Sequence, residues 1–136
     1  MVEVVNRQRR LRLDTKAWST FASGALEAIG NDGASAIVAF VSDRRMRELN
    51  RAFRGINRAT DVLSFPASDE DKLNLGDIAV SVDTAAVQAK ENGLSFDEEI
   101  AQLILHGLLH LSGYDHEADD GEMNRLELKL RKKLNI

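Results

Sequence analysis

The chain has 136 residues, of which 43% are hydrophobic and 29% charged, with no cysteine and a net charge of -4. This composition is typical of one globular domain with its own core, and it excludes disulfides and thiolate metal ligands. No segment approaches the roughly 20 apolar residues of a membrane-spanning helix, and the first residues lack the apolar run of a signal peptide, so we expect a cytoplasmic protein without a membrane partner.

The N-terminal third predicts strands and one amphipathic helix. Residues 2 to 5 and 9 to 13 alternate apolar and polar side chains, which predicts one strand or a hairpin. Asp14 is a suitable helix N-cap, and the apolar positions that follow recur with a 3.6-residue period until Gly30. Trp18 and Phe21 lie on that apolar face, so we expect both in the core.

A buried strand and a second helix come next. The apolar run from residue 34 to 41 has the length of a strand, and Ser42 can cap a helix that reaches about Phe53. The spacing of Met46, Leu49 and Phe53 predicts that they form the inner face of this helix.

The remaining chain predicts two strands and three helices. Residues 61 to 65 and 75 to 82 read as strands, and their short connection favours antiparallel pairing. Asp83 is expected to cap a short helix that ends near Gly93. Ser95 and Glu98 form a capping-box pattern that opens the next helix, and residues 119 to 134 predict the last one. We therefore expect residues 1–136 to form a single α+β domain, with about four strands in a mixed sheet flanked by about five helices.

All three histidines lie between residues 106 and 116, in the sequence His-Gly-Leu-Leu-His-Leu-Ser-Gly-Tyr-Asp-His. His106 and His110 are four residues apart and therefore project from one face of a helix. Gly113 can end that helix in a left-handed conformation, so that the next turn brings His116 toward the pair. A histidine on an apolar helix can also be a hydrogen-bonded core residue, but three in one short window favour a metal site. Three protein ligands with an open fourth position are typical of catalytic zinc.

Charge is segregated along the chain. Residues 1 to 58 contain eleven Lys or Arg and six acids, whereas residues 59 to 136 contain seven Lys or Arg and sixteen acids. The basic half could neutralise phosphates, or it could be a solvated surface rich in arginine; charge alone leaves both readings open.

The histidine run, written H-G-x-L-H-L-x-G-Y-D-H, resembles the signature of the YbeY-like bacterial endoribonucleases, metal-dependent enzymes associated with ribosomal RNA maturation. The resemblance covers most of the chain from about Leu49 onward. It continues through the segments Leu49-Asn50, Phe53-Arg54-Gly55, Thr60-Asp61-Val62-Leu63-Ser64-Phe65-Pro66 and Leu75-Gly76-Asp77-Ile78. Two positions depart from the family pattern: Asn57 stands where an aspartate is usual, and Ala59 where a proline is usual.

The resemblance implies a single-strand-specific endoribonuclease in ribosomal RNA processing and ribosome quality control. Implied partners are single-stranded ribosomal RNA, the small ribosomal subunit with its proteins, and other ribonucleases. The implied cofactor is one zinc ion held by His106, His110 and His116, with nickel or another divalent metal as alternatives. Arg54 matches a catalytic arginine of the family.

These residues suit hydrolysis of a phosphodiester. Three neutral imidazoles leave a metal its full charge, with which it can activate water or polarise a phosphate, and the planar guanidinium of Arg54 can bind phosphate oxygens in pairs. Internal attack by the RNA 2′-hydroxyl and direct attack by activated water both stay open. Asp115 is expected either to orient an imidazole or to cap the last helix. Asp77 is expected to accept hydrogen bonds from buried or loop amides, and a role in orienting a metal ligand stays open for it.

Two other functions compete with this reading. A metalloprotease or other metallohydrolase would use the same metal, but Gly107 stands where H-E-x-x-H proteases carry their general base. A non-catalytic ribosome-assembly factor would use the metal only to hold the turn between the last two helices, and would show no metal-dependent turnover.

Overall fold

A computed structural model describes residues 1–31, 33–68, 70, 73–115 and 119–136. In chain order the elements are β1 (Val2–Asn6), α1 (Thr15–Ile29), β2 (Ser35–Val41), α2 (Asp43–Arg54), β3 (Val62–Pro66), β4 (Asn74–Ser81), α3 (Val82–Asn92), α4 (Phe96–Leu111) and α5 (Glu122–Leu134). The predicted α+β class, with four strands in a mixed sheet and five helices, is confirmed for the described part of the chain.

The strands form one sheet in the order β1-β2-β4-β3. β1, β2 and β4 are mutually parallel, and β3 pairs antiparallel with β4 as predicted. Parallel neighbours need a crossover connection, which α1 supplies between β1 and β2. Because β3 is the last strand in this order, it is an edge strand of the sheet. α4 packs against it.

The main core lies between one face of the sheet and helices α1, α4 and α5. α4 is its central element, because Ile100, Ile104 and Leu108 are fully buried. Trp18 and Phe21 pack against this core from α1, which confirms the prediction for them. The described residues include no helix long and apolar enough to cross a membrane.

The opposite face of the sheet is only partly covered, by α2. A second, smaller core joins Met46 of α2 to Val41, Leu63 and Ala79 of the sheet. Leu49 packs beside it, but Phe53 is 68% exposed, so its predicted place on the inner face is wrong. Phe53 lies in the last turn before Gly55 ends the helix, where its ring contacts Phe65 of the edge strand.

Three local predictions differ from the structure for identifiable reasons. Of the two arrangements expected near the N-terminus, the structure has one strand and not the hairpin: residues 9 to 13 form no strand, because the amide side chain of Gln8 bonds both the N–H and the C=O of Leu11 and closes a turn instead. α3 is capped by Ser81, with Asp83 inside its first turn. α5 begins at Glu122, after a turn in which the carboxylate of Asp119 accepts from two later amides.

Candidate active site

α4 holds the candidate site on a rigid element. Its start is the predicted capping box: the Ser95 hydroxyl accepts from the N–H of Glu98 at 3.1 Å, and the Glu98 carboxylate accepts from the N–H of Ser95 at 2.9 Å. Its end is also as predicted, because Gly113 has a φ of 99°, which favours glycine. His106 and His110 therefore project from the last two turns of a helix whose other faces are buried.

The two histidines face one another through their Nε2 atoms. These nitrogens are 3.1 Å apart, and the ring planes are inclined at 76°. Two imidazole nitrogens bound to one tetrahedral zinc, at bonds of about 2.0–2.1 Å, lie about 3.3 Å apart. The distance between the Nε2 atoms of His106 and His110 is thus close to that of two nitrogens that share one ion. The predicted third ligand, His116, lies outside the described residues, and within the described part no group of three potential ligands comes together.

Glu127 of α5 contacts the first histidine of this pair and was not predicted from the sequence. Its Oε1 lies 2.7 Å from Nδ1 of His106, and its other oxygen accepts from Arg131 at 3.4 Å. A proton on Nδ1 that is donated to the carboxylate leaves the Nε2 lone pair free to point toward His110, the orientation a metal needs. The signal was present, since Glu127 falls on the buried face between Met123 and Leu130.

The electrostatics keep Glu127 ionised. Burial by itself would raise the pKa of this carboxyl, since only 7% of the residue is exposed. The hydrogen bond from His106 and the charges of His106, Arg131 and His110 outweigh burial and lower its pKa below the usual value. A fixed carboxylate behind the first histidine is the arrangement that commonly orients a metal-binding imidazole.

Arg54 shares a cleft with both histidines. This cleft, of about 530 Å³, lies between the C-terminal end of α4 and edge strand β3, and Ser64 and Asp115 also line it. Arg54 is the last residue of α2, and its side chain is exposed. The structure therefore brings together residues that are more than 50 positions apart in sequence.

Gly107 is tightly packed. A Cβ atom at this position would lie 3.0 Å from both Cδ1 and Cγ2 of Ile78 in β4, closer than nearly all real Cβ contacts. The position faces the core and not the cleft, so a glutamate there would have no path to a metal. Together with the absence of the glutamate itself, this geometry argues against the protease alternative.

The two aspartates left open by the sequence lie on different sides of the sheet. Asp115 lines the histidine cleft, and the carboxylate that caps the start of α5 belongs to Asp119. Asp77 is exposed on the opposite face, in register with Phe65 of β3. No described amide donates to its carboxylate, so the role expected for Asp77 is wrong.

Comparisons with known proteins identify the family of this chain. The family model described as Endoribonuclease YbeY matches residues 3–135. Curated relatives named Endoribonuclease YbeY are 44% identical in Koribacter versatilis, over 98% of this chain and 86% of the relative, and 38% identical in Geobacter sulfurreducens, over 96% and 91%. A solution structure of a Thermotoga maritima protein superposes with a TM-score of 0.68 at 31% identity, covering 98% of this chain and 89% of the other. On this evidence the chain belongs to the endoribonuclease YbeY family, whose name implies an RNA substrate.

Proposed function

We propose that this protein is a metal-dependent endoribonuclease that cleaves single-stranded RNA during ribosomal RNA maturation and ribosome quality control. The observation that carries the proposal is the 3.1 Å approach of the two Nε2 atoms, with Arg54 lining the same cleft. The proposed ligands are His106, His110 and His116, and the proposed ion is zinc, with nickel or another divalent metal as alternatives. A divalent ion bound there supplies Lewis acidity toward a phosphate oxygen and lowers the pKa of water.

The protein's own residues have separate tasks in this proposal. Arg54 binds the phosphate whose charge is redistributed as the bond breaks, because its guanidinium can donate two parallel hydrogen bonds. Glu127 holds the His106 ring so that Nε2 faces the cleft. Ser64 lies on the cleft wall, where its hydroxyl donates to the carbonyl of Gly107 at 3.4 Å, so we assign it no role as a nucleophile.

The proposed cellular context extends the family's RNA chemistry. Proposed partners are the small ribosomal subunit, its proteins and other ribonucleases, and we expect the protein to act in the cytoplasm. The basic surface of α2 supports contact with a large RNA, because several arginines on this helix and the following loop are exposed: Arg44, Arg45, Arg47, Arg51, Arg54 and Arg58.

The test is cleavage of a single-stranded fragment of small-subunit ribosomal RNA by metal-loaded protein, metal-free protein and the His110→Ala variant. We expect cleavage only by the loaded protein, and we expect His110→Ala to lose bound metal in elemental analysis. Equal cleavage by all three samples would identify a contaminating nuclease. Binding of RNA without cleavage by the loaded protein would favour the assembly-factor alternative.

A second pair of variants tests the arginine. Arg54→Glu should suppress cleavage while metal content and the circular dichroism spectrum stay unchanged. Arg51→Glu is the matched control, since it makes the same charge change on the same exposed helix but does not line the cleft. Equal loss of activity in both variants would mean that general charge, and not a specific phosphate contact, is responsible.

A further inference from the structure

A second depression lies on the other side of edge strand β3 from the histidine cleft. This groove, of about 520 Å³, has a floor of small side chains from the sheet, including Ala39 and Ala79. Phe53 and Phe65 form one wall, and two basic residues also line it, Arg7 and Arg45. Nothing in the proposed cleavage chemistry uses this groove.

The aromatic pair is unusual because it is held in place and yet open. The ring centroids of Phe53 and Phe65 are 4.9 Å apart with an interplanar angle of 61°, an edge-to-face contact that orients the Phe53 ring. Phe53 nevertheless remains 68% exposed, more than any other aromatic residue in the described part of the chain. An oriented, exposed ring is the usual platform on which an unpaired base stacks.

The groove lies next to the candidate active site, and residues that are adjacent in sequence line the two depressions. Phe53 precedes Arg54, which lines the histidine cleft, and Phe65 precedes Pro66, which lines it too. Side chains alternate across a strand, so Phe65 faces the groove while Ser64 and Pro66 face the cleft. Only edge strand β3 and the end of α2 separate the groove from the cleft. One extended nucleic-acid strand can therefore cross from the groove to the cleft.

The charges favour a nucleic acid with its base inward and its phosphates outward. Arg7 is exposed, and its backbone N–H donates to the carbonyl of Phe40 at 2.8 Å, which fixes its place beside the groove. Arg45 is also exposed, paired with Glu48 at 3.1 Å. Asp77 is the acid in the groove, and a carboxylate there can accept a hydrogen bond from an exocyclic amino group of a base, as it does for cytosine.

We propose that the groove lined by Phe53 and Phe65 is a binding subsite for single-stranded RNA, in which one unpaired base next to the cleaved segment stacks on Phe53 while Arg7 and Arg45 contact the backbone. The inference rests on the proposed ribonuclease function. It adds a specificity determinant outside the cleft, because a base must be unpaired to stack there.

Binding of RNA to metal-free protein tests the subsite without requiring cleavage. A fluorescent single-stranded oligoribonucleotide of about twelve nucleotides is titrated with wild type, Phe53→Ala and Phe53→Tyr. Loss of one stacked base costs a factor of about 5 to 150 in affinity, so we expect Phe53→Ala to weaken binding within that range and Phe53→Tyr to restore it. Leu128→Ala is the matched control, since Leu128 is similarly exposed but lies on α5.

Placing one abasic nucleotide at each position in turn makes the test specific for a base. For wild type, an abasic nucleotide at one position should lower the RNA affinity by the same factor as the Phe53→Ala substitution does. For Phe53→Ala, an abasic nucleotide at that position should not lower the affinity further. Arg7→Ala should reduce the salt dependence of binding by about one unit in the slope of log affinity against log salt.

The outcomes separate this inference from the proposed function. If Phe53→Ala binds RNA as well as wild type while metal-loaded wild type still cleaves RNA, the proposed subsite is wrong and the proposed ribonuclease function is retained. The groove would then be a candidate contact surface for a protein partner. If wild type neither binds nor cleaves single-stranded RNA, both are wrong. Uniform weakening at every abasic position would also overturn the stacking proposal.

Discussion

Replacing Glu127 by glutamine should loosen metal binding without unfolding the protein. The carboxylate lies 2.7 Å from Nδ1 of His106 and is almost fully buried, so it selects the tautomer whose Nε2 lone pair faces His110. Glutamine keeps an acceptor oxygen but loses the charge, and its amide group would place a donor near Arg131 or near the imidazole.

Changes to the partner of a metal-binding histidine typically cost 10- to 100-fold in metal affinity, or about 1.4 to 2.7 kcal/mol. We expect Glu127→Gln near the lower limit and Glu127→Ala near the upper one, measured as zinc dissociation constants by competition with a chelator at neutral pH. Glu122→Gln is the matched control, because it makes the same change on the exposed side of the same helix.

A second readout needs no metal. The ¹⁵N shifts of the imidazole nitrogens in metal-free protein should show His106 protonated at Nδ1 in wild type and a mixture of tautomers in Glu127→Ala. Unchanged zinc affinity together with an unchanged tautomer in both Glu127 variants would refute the positioning role.

Three further predictions concern the elements that hold the site. Gly107→Ala should lower the free energy of unfolding in urea by about 1 kcal/mol, because overpacking against Ile78 costs about 1–3 kcal/mol and the higher helix propensity of alanine offsets only about 1 kcal/mol. Adding Ile78→Val should restore part of the lost stability. A Gly107→Ala protein more stable than wild type would contradict the close packing. Ser95→Ala removes the N-cap of α4 and should lower the unfolding free energy by about 1 kcal/mol, which corresponds to a fall of about 3 °C in the midpoint of thermal unfolding. A fall in the midpoint of less than a quarter of that value would mean that the capping box does not stabilise α4. Hydrogen bonds from the backbone N–H of Ser95, and to a smaller extent from its hydroxyl, lower the pKa of Glu98 in the folded protein, so the Glu98 carboxylate stabilises the fold above its unfolded-state pKa and loses this effect as pH falls through its folded-state pKa. The difference in unfolding free energy between wild type and Glu98→Gln should therefore shrink from pH 7 to pH 3. A constant difference would contradict this role of the carboxylate.

The sequence by itself determined the parts of this protein that depend on neighbours along the chain. The capping box of α4, its apolar face, the stop at Gly113 and the pairing of His106 with His110 all involve residues within about five positions of one another, so helical periodicity predicts them. The short link between β3 and β4 predicted antiparallel pairing for the same reason.

Only the tertiary structure decided which distant residues meet. Glu127 reaches His106 because α5 packs back on α4, and Arg54 joins the histidines because α2 ends beside the edge strand. The exposure of Phe53 has the same origin: helical spacing placed it on the apolar face, but at the last turn of α2 its ring meets the edge of Phe65 and stays mostly exposed. Local periodicity defines the face of a helix, whereas burial depends on whether another element lies opposite that face, and this is set by packing between segments far apart in the chain.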